Sequence, residues 1–401
     1  MELTKTMKIR IYPVEDDMPK LRRTMKEYTA GLNFASKIQF EDLAKLQPVD
    51  LCHRTYKYLR TRYGLKSQFA SSIPRTVVGT YRALKAKLQK ERVSVEDSDG
   101  KYAITYKDLA WLKSPVRYSR PQADMVLNRD YSFVKDLISV NTLDGRIRCK
   151  YTTSGFTGTF NDKSWKKGTA KLLCNDGKWF LHIAVSKQVP DIDSSSFKDV
   201  VGIDRGLRFL AVSYDSKGKA EFFGKGIVRT RNKYNHLREQ LQQKKSRYAR
   251  KRLLKIGHRE TRWVSDVNHR ISKALVEKHP NGLFVLEDLA RTHFVTENLG
   301  KRMKNEISSW PFAELEQYLK YKAREAGGDV IEVSAAYTSQ RCPKCGSVNK
   351  LNRDHMHHEY HCHQCGYRSN DDRTAAMNIQ NLGTEYVSGE AKPHYSKQSI
   401  A

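Results

Sequence analysis

The chain has no run of eighteen apolar residues, so nothing in it reads as a membrane-spanning helix. Its opening, Met1-Glu2-Leu3-Thr4-Lys5-Thr6, lacks the apolar stretch of a secretory leader. Cysteine is scarce, seven in 401 residues, and Cys52, Cys149 and Cys174 have no spacing that suggests pairing. That excludes a disulfide framework and leads to the expectation of a soluble, non-secreted protein in a reducing compartment. Acid is the other shortage. Forty-four Asp and Glu face seventy-three Lys and Arg, a formal charge of +29. Such an excess calls for a polyanion, because each phosphate neutralised releases counterions. By itself it would fit a ribosomal or membrane-surface protein equally well. The length allows two or three domains, each with its own core.

What is present is concentrated late in the chain. Cys342-Pro343-Lys344-Cys345 is followed, after sixteen residues, by Cys362-His363-Gln364-Cys365. Two Cys-x-x-Cys pairs at this separation fit a zinc ribbon, in which four thiolates close a tetrahedral shell. With no open coordination position, the zinc would be structural. His355, His357, His358, His361 and His363 lie within or beside the ribbon as competing ligands, but Cys342, Cys345, Cys362 and Cys365 already complete the shell. Asp372 follows seven residues after the last cysteine.

Upstream, Val200-Val201-Gly202-Ile203-Asp204-Arg205-Gly206 and Phe209-Leu210-Ala211-Val212-Ser213-Tyr214 read as two strands of a hairpin, with Asp204 ending the first. Gly282-Leu283-Phe284-Val285-Leu286-Glu287 reads as a buried strand with Glu287 at its C-terminal end. A lone strand-end Asp is commonly only a turn residue. The runs Tyr337-Thr338-Ser339-Gln340-Arg341 and Asn370-Asp371-Asp372-Arg373-Thr374-Ala375-Ala376-Met377-Asn378-Ile379, around the ribbon, resemble the C-terminal end of TnpB proteins of insertion sequences and of the related miniature type V CRISPR effectors. The resemblance implies an RNase H-like (RuvC) nuclease domain in which Asp204, Glu287 and Asp372 are catalytic and bind magnesium, with manganese an acceptable substitute. Hard carboxylate oxygens suit such ions, and a pair of them can activate water and stabilise a leaving oxygen. Thr374 departs from the family, where Asn is common. Asp371 is an adjacent candidate, but neighbouring helical residues point about 100° apart, so one of the two faces the metals.

The resemblance also implies an α/β multidomain organisation. A β-barrel-like wedge domain would comprise 1-14 and 95-190, and a helical recognition insertion 15-94. The nuclease domain would comprise 199-340 and 367-383, with the zinc ribbon at 341-366 and a disordered tail at 384-401. From the residues, Asp17 is a candidate cap for a helix carrying Leu21, Met25, Tyr28, Leu32 and Ala35, and a second helix is expected over about Ser72 to Lys90. Pro190 to Lys198 reads as a linker and Ala290 to Glu306 as a lid, with Ser309 capping the next helix.

Between the first two acids, Arg229 to Arg262 holds thirteen Lys or Arg against two Glu. A helical stripe of Tyr234, Leu237, Leu241 and Tyr248 predicts a long amphipathic helix or helical hairpin, followed by a further helix from Val264. A solvated face is the plain reading of such a run. The density and the interleaved aromatics favour a nucleic-acid contact by Lys244, Lys245, Arg247, Tyr248, Arg250, Lys251 and Arg252. The function implied by the resemblance is an RNA-guided DNA endonuclease of the prokaryotic cytoplasm, associated with the nucleoid. Its cofactors would be zinc, magnesium and a guide RNA, and its partner double-stranded target DNA. A cleavage-silent guided binder and an unguided RuvC-like nuclease are the rivals.

Overall fold

A computed structural model describes residues 1–89, 92–96, 102–192, 196–206, 208–288, 312–354 and 357–396. The expected lid, the Ser309 cap and His355 lie outside the described residues. The chain divides into two compact units, Glu2–Gln188 and Val189–Ala401.

The first unit opens with strand β1 (Glu2–Tyr12) and helices α1 (Met18–Glu41), α2 (Pro48–Arg62) and α3 (Ser67–Leu88). Leu21, Met25, Tyr28, Leu32 and Ala35 form the buried stripe of α1. Asp17 precedes that helix, but its carboxylate accepts from Lys20 Nζ at 2.8 Å rather than capping the first amides. Its backbone is already helical, whereas a capping side chain needs an extended residue. Helix α2 is absent from the sequence expectation because its buried positions, Leu51, Thr55 and Leu59, include a threonine that interrupts the apolar stripe. Strands β2 (Arg92–Glu96) and β3 (Tyr102–Tyr106) pair with each other as a separate ribbon, so the expected boundary at 94/95 falls inside a hairpin.

The remaining elements are β4 (Gln122–Met125), β5 (Tyr131–Val134), β6 (Leu137–Thr142), β7 (Gly145–Thr152), the short α4 (Thr157–Asn161), β8 (Lys166–Asn175) and β9 (Lys178–Gln188). The seven-stranded ladder runs β4-β8-β9-β1-β7-β6-β5. Only residues 126–130 join the two end strands. A flat sheet would hold those ends about 29 Å apart, six strand spacings. The connection reaches about 21 Å at full extension. The sheet must therefore curl back on itself, as a barrel-like domain requires.

The second unit is built on β10 (Asp199–Asp204), β11 (Ala211–Tyr214), β12 (Ala220–Phe223), helices α5 (Ile227–Gln243) and α6 (Arg247–Lys278), β13 (Gly282–Glu287), α7 (Phe312–Glu325) and β14 (Asp329–Val333). The five strands are ordered β12-β11-β10-β13-β14, with β10, β13 and β14 parallel and the other two antiparallel. Side chains alternate between faces. Val201, Ile203, Phe284 and Leu286 pack on one side with Val267, Ile271 and Leu275 of α6 and Leu315 and Leu319 of α7. On the other side Val200, Leu283 and Val285 meet Ile379 and Leu382 of the last helix, α8 (Asp371–Val387). The basic stretch is a helical hairpin closed by Leu241, Ala249 and Ile256. Its second arm continues unbroken to Lys278, so the separate helix expected from Val264 is the same 32-residue α6.

The ribbon adds three short strands, β15 (Arg353–Asp354), β16 (Glu359–His361) and β17 (Arg368–Asn370), around a core of Cys342, Tyr360 and Cys362. The tail expected to be disordered from 384 is helical to Val387. Tyr395 is buried and donates its hydroxyl to the Asn378 carbonyl at 2.8 Å. An isolated aromatic anchor leaves no periodic signal, which is why sequence patterning passes over it.

Candidate active site and metal centre

Parallel pairing sets Ile203 opposite Leu286. Asp204 and Glu287, each one residue further on, therefore leave the C-terminal ends of adjacent strands on the face covered by α8. Asp372 lies in the first turn of α8. Glycine makes that approach feasible: a Cβ at Gly202 would lie 2.3 Å from both Ala376 O and Gln380 N. Strand and helix backbones touch there, two residues before Asp204 and one helical turn after Asp372.

The carboxylates feel one another. Burial and then the charges of Glu287 and Asp372 hold Asp204 well above the ordinary carboxylate range. Burial raises Glu287, although a Thr338 hydrogen bond and Arg205 oppose the shift. Asp372 is raised by burial and by Asp371. Oxygen donors gathered so that each is disfavoured as an anion form a site that wants positive charge. The donor set fits a hard divalent cation such as magnesium.

Several supporting residues were not legible as site residues. Thr338 Oγ1 donates to Glu287 Oε1 at 2.5 Å, and Asn378 Nδ2 donates to the Thr338 and Arg341 carbonyls at 2.7 and 2.8 Å. Arg205, its side chain 2% exposed, donates to the Glu287 carbonyl at 2.5 Å and pairs with Glu316 at 2.9 Å. Arg353, from the ribbon, contacts Asp371 at 3.0 Å and Asp372 at 3.6 Å. Asp371 is thus turned onto Arg353, while His358 Nδ1 lies 3.6 Å from its other oxygen. Asn370 caps α8, its Oδ1 accepting from Arg373 N at 3.0 Å, and Thr374 donates back to the Asn370 carbonyl at 3.0 Å. The first turn is therefore intact with Thr at 374. Arg205 directly follows Asp204, and Thr338 lies in the run before the ribbon; that adjacency was the available signal.

In the ribbon, Cys342, Cys345, Cys362 and Cys365 bring their sulfurs within 4.8 Å of one another. Two of the separations are 3.6 Å (Cys342–Cys365) and 3.5 Å (Cys345–Cys362). Tetrahedral zinc with bonds of about 2.3 Å needs edges of about 3.8 Å, so the cluster fits that ion. The two knuckles repeat each other. Gly346 N donates to the Cys342 carbonyl and Gly366 N to the Cys362 carbonyl, both at 2.9 Å. Both glycines take positive φ, +77° and +71°, which lets the chain turn back beside the cysteine cluster.

At the hairpin end, Lys244, Lys245, Arg247, Tyr248, Arg250, Lys251 and Arg252 are all exposed. Ser246 caps α6 by accepting from Ala249 N, and Tyr248 is 71% exposed. The cations therefore form a solvent-facing group.

A family model described as "Cas12f1-like, TNB domain" matches residues 312–379, from α7 through the ribbon and past Asp372. The chain is a homologue of TnpB-like and Cas12f1 proteins. It is 37% identical over 115 residues to a CRISPR-associated endodeoxyribonuclease Cas12f1 of Sulfoacidibacillus thermotolerans, covering 28% of this chain and 25% of that protein. To a TnpB-like protein of Methanocaldococcus jannaschii it is 29% identical over 158 residues, covering 38% and 56%. The matches thus span about a quarter and a little over half of those relatives' lengths. A solved Cas12f1–sgRNA–target DNA complex contains a chain of the same fold, with TM-score 0.59 and 14% identity over 95% of this chain and 99% of that one.

Proposed function

We propose that this chain is an RNA-guided DNA endonuclease in which Asp204, Glu287 and Asp372 hold magnesium for hydrolysis of a phosphodiester. The observation that carries the reading is the convergence of these three acids, from two adjacent strand ends and a helix start, with Asp204 raised by burial and then by the charges of the other two. A divalent pair bound there would supply Lewis-acid activation of water and stabilisation of the departing oxygen. Thr338 fixes one oxygen of Glu287 and leaves the second for metal. Arg205 holds the end of β13 through a carbonyl, and Arg353 satisfies Asp371 so that Asp372 faces the site. Water is the nucleophile, so no side chain need form a covalent intermediate.

Four thiolates would bind structural zinc and hold Arg353 and His358 against the start of α8. The curled sheet of the first unit would serve as the wedge domain and α1 to α3 as the recognition domain, meeting guide RNA and target DNA. A homologous Cas12f1 is named an endodeoxyribonuclease, and a chain of the same fold is solved in a complex with sgRNA and target DNA; both support that partnership. The exposed cations of the α5–α6 hairpin would follow a phosphate backbone.

The test separates binding from cutting. With its co-purifying RNA and a matched duplex, the chain should cleave only with magnesium or manganese. Asp204→Ala, Glu287→Ala and Asp372→Ala should each abolish cleavage while leaving guided binding in place. Guided binding without cleavage by the unmodified chain would establish the binder instead. Metal-dependent cleavage that ignores guide sequence would establish the unguided nuclease. Full cleavage by Asp204→Ala would remove the RuvC-type assignment of the three acids.

A further inference from the structure

We propose that Phe222, backed by Phe209, forms an aromatic shelf on which a base of single-stranded nucleic acid stacks beside the carboxylates. The shelf rests on the nuclease reading and names how that site grips its substrate. Sheet register carries the inference. Asp204 is opposite Val212, and Val212 is opposite Phe222. Residues directly opposite in antiparallel pairs project from the same face. Phe222 therefore shares the α8 face with Asp204 and lies two strand spacings away, about 10 Å.

Its neighbours along that row differ from it. Val212 is 1% exposed, whereas Phe222 is 41% exposed on the outermost strand of the sheet. Phe209 meets it edge-on, with centroids 5.0 Å apart and planes at 62°, which steadies the Phe222 ring while leaving area open. Cations flank the shelf. Exposed Arg208 lies 5.7 Å from the Phe209 ring, and its charge reaches Asp372. On the same face, Arg373 lies 5.6 Å from the ring of Tyr214, which is opposite Gly202. An exposed apolar side chain alone is ordinary. Here an aromatic surface shares a face with the metal-binding acids and is flanked by guanidinium groups. That combination suits a polymer of alternating π-faces and phosphates. A base stacked there would place its neighbour's phosphate over Asp204.

The test uses the full chain and a single-stranded DNA oligonucleotide containing 2-aminopurine, without added divalent metal. The unmodified chain should bind and quench the probe. Phe222→Ala and Phe222→Leu should both weaken binding about 5- to 100-fold and relieve the quenching, while Phe222→Trp retains both. The slope of affinity against salt should stay the same, because no cation facing a phosphate is removed. Binding and quenching by Phe222→Leu equal to those of the unmodified chain would overturn the shelf and leave the nuclease reading standing. Failure of the unmodified chain to bind any single strand would overturn the shelf, while the nuclease reading stands or falls on the cleavage test.

Discussion

Arg353 touches two consecutive carboxylates to which the proposed mechanism gives different roles. Its Nε holds Asp371, which is 1% exposed, and its Nη2 reaches Asp372 more loosely. Asp371→Asn should lower cleavage by about 10- to 100-fold, the usual effect of losing a partner that orients a metal ligand, whereas Asp372→Asn should reduce it to background. Comparing both variants under single-turnover conditions checks the order. Asp204 leads to a stability prediction. Its folded pKa lies above the ordinary carboxylate value, so between the two the folded state binds more protons than the unfolded one. Stability therefore falls as pH rises through that window, and the penalty is complete above the folded pKa. Asp204→Asn should raise Tm of the metal-free chain at neutral pH by about 1–3 °C, and magnesium-induced stabilisation of the unmodified chain should shrink as pH falls and the carboxylates protonate. Thermal melts across pH would show either trend or its absence. The three acids could be singled out from sequence through the family resemblance, and the structure brings them close enough for their charges to act on one another. Arg353 and Thr338 could not, since what matters is their contact with residues 18 and 51 positions away.

The ribbon and the hairpin are separable elements with separate signatures. Cys362→Ser should release zinc and loosen the contacts of Arg353 and His358 with the start of α8. Zinc content per chain and protection of residues 342–371 from proteolysis should fall together. Replacing Lys244, Lys245, Arg250 and Arg252 by Gln should flatten the salt dependence of nucleic-acid binding by about one unit of slope for each phosphate left without its cation, with little change in Tm, because all four are exposed. An unchanged slope would leave the group as a solvated face. Element identity was legible where a helical stripe or an apolar run was clean, as in α1, β10 and β13. It failed at α2, where Thr55 sits in the stripe, and the domain boundary placed at 94/95 missed that β2 and β3 pair only with each other, apart from the seven-stranded sheet. Pairing order was out of reach, since β1 lies between β9 and β7, both far along the chain.

At the scale of the molecule, the charge of +29 would favour a polyanion without saying where any chemistry is done. Raising salt should weaken binding of guide and target more than it slows cleavage once they are bound, a contrast measurable by comparing affinity with single-turnover rate. The contact of Gly202 with the backbone of α8 has a further consequence, for the order of folding. Asp204 and Asp372 are 168 positions apart, and closing a loop of that length costs about 4–5 kcal/mol of chain entropy. Strands β10 and β13 can pair earlier, yet without α8 they bring only two of the three acids together. Contacts of such wide sequence separation form late. On the proposed reading a half-folded chain would therefore be chemically inert, and any capacity to cut nucleic acid would arise only with the completed core.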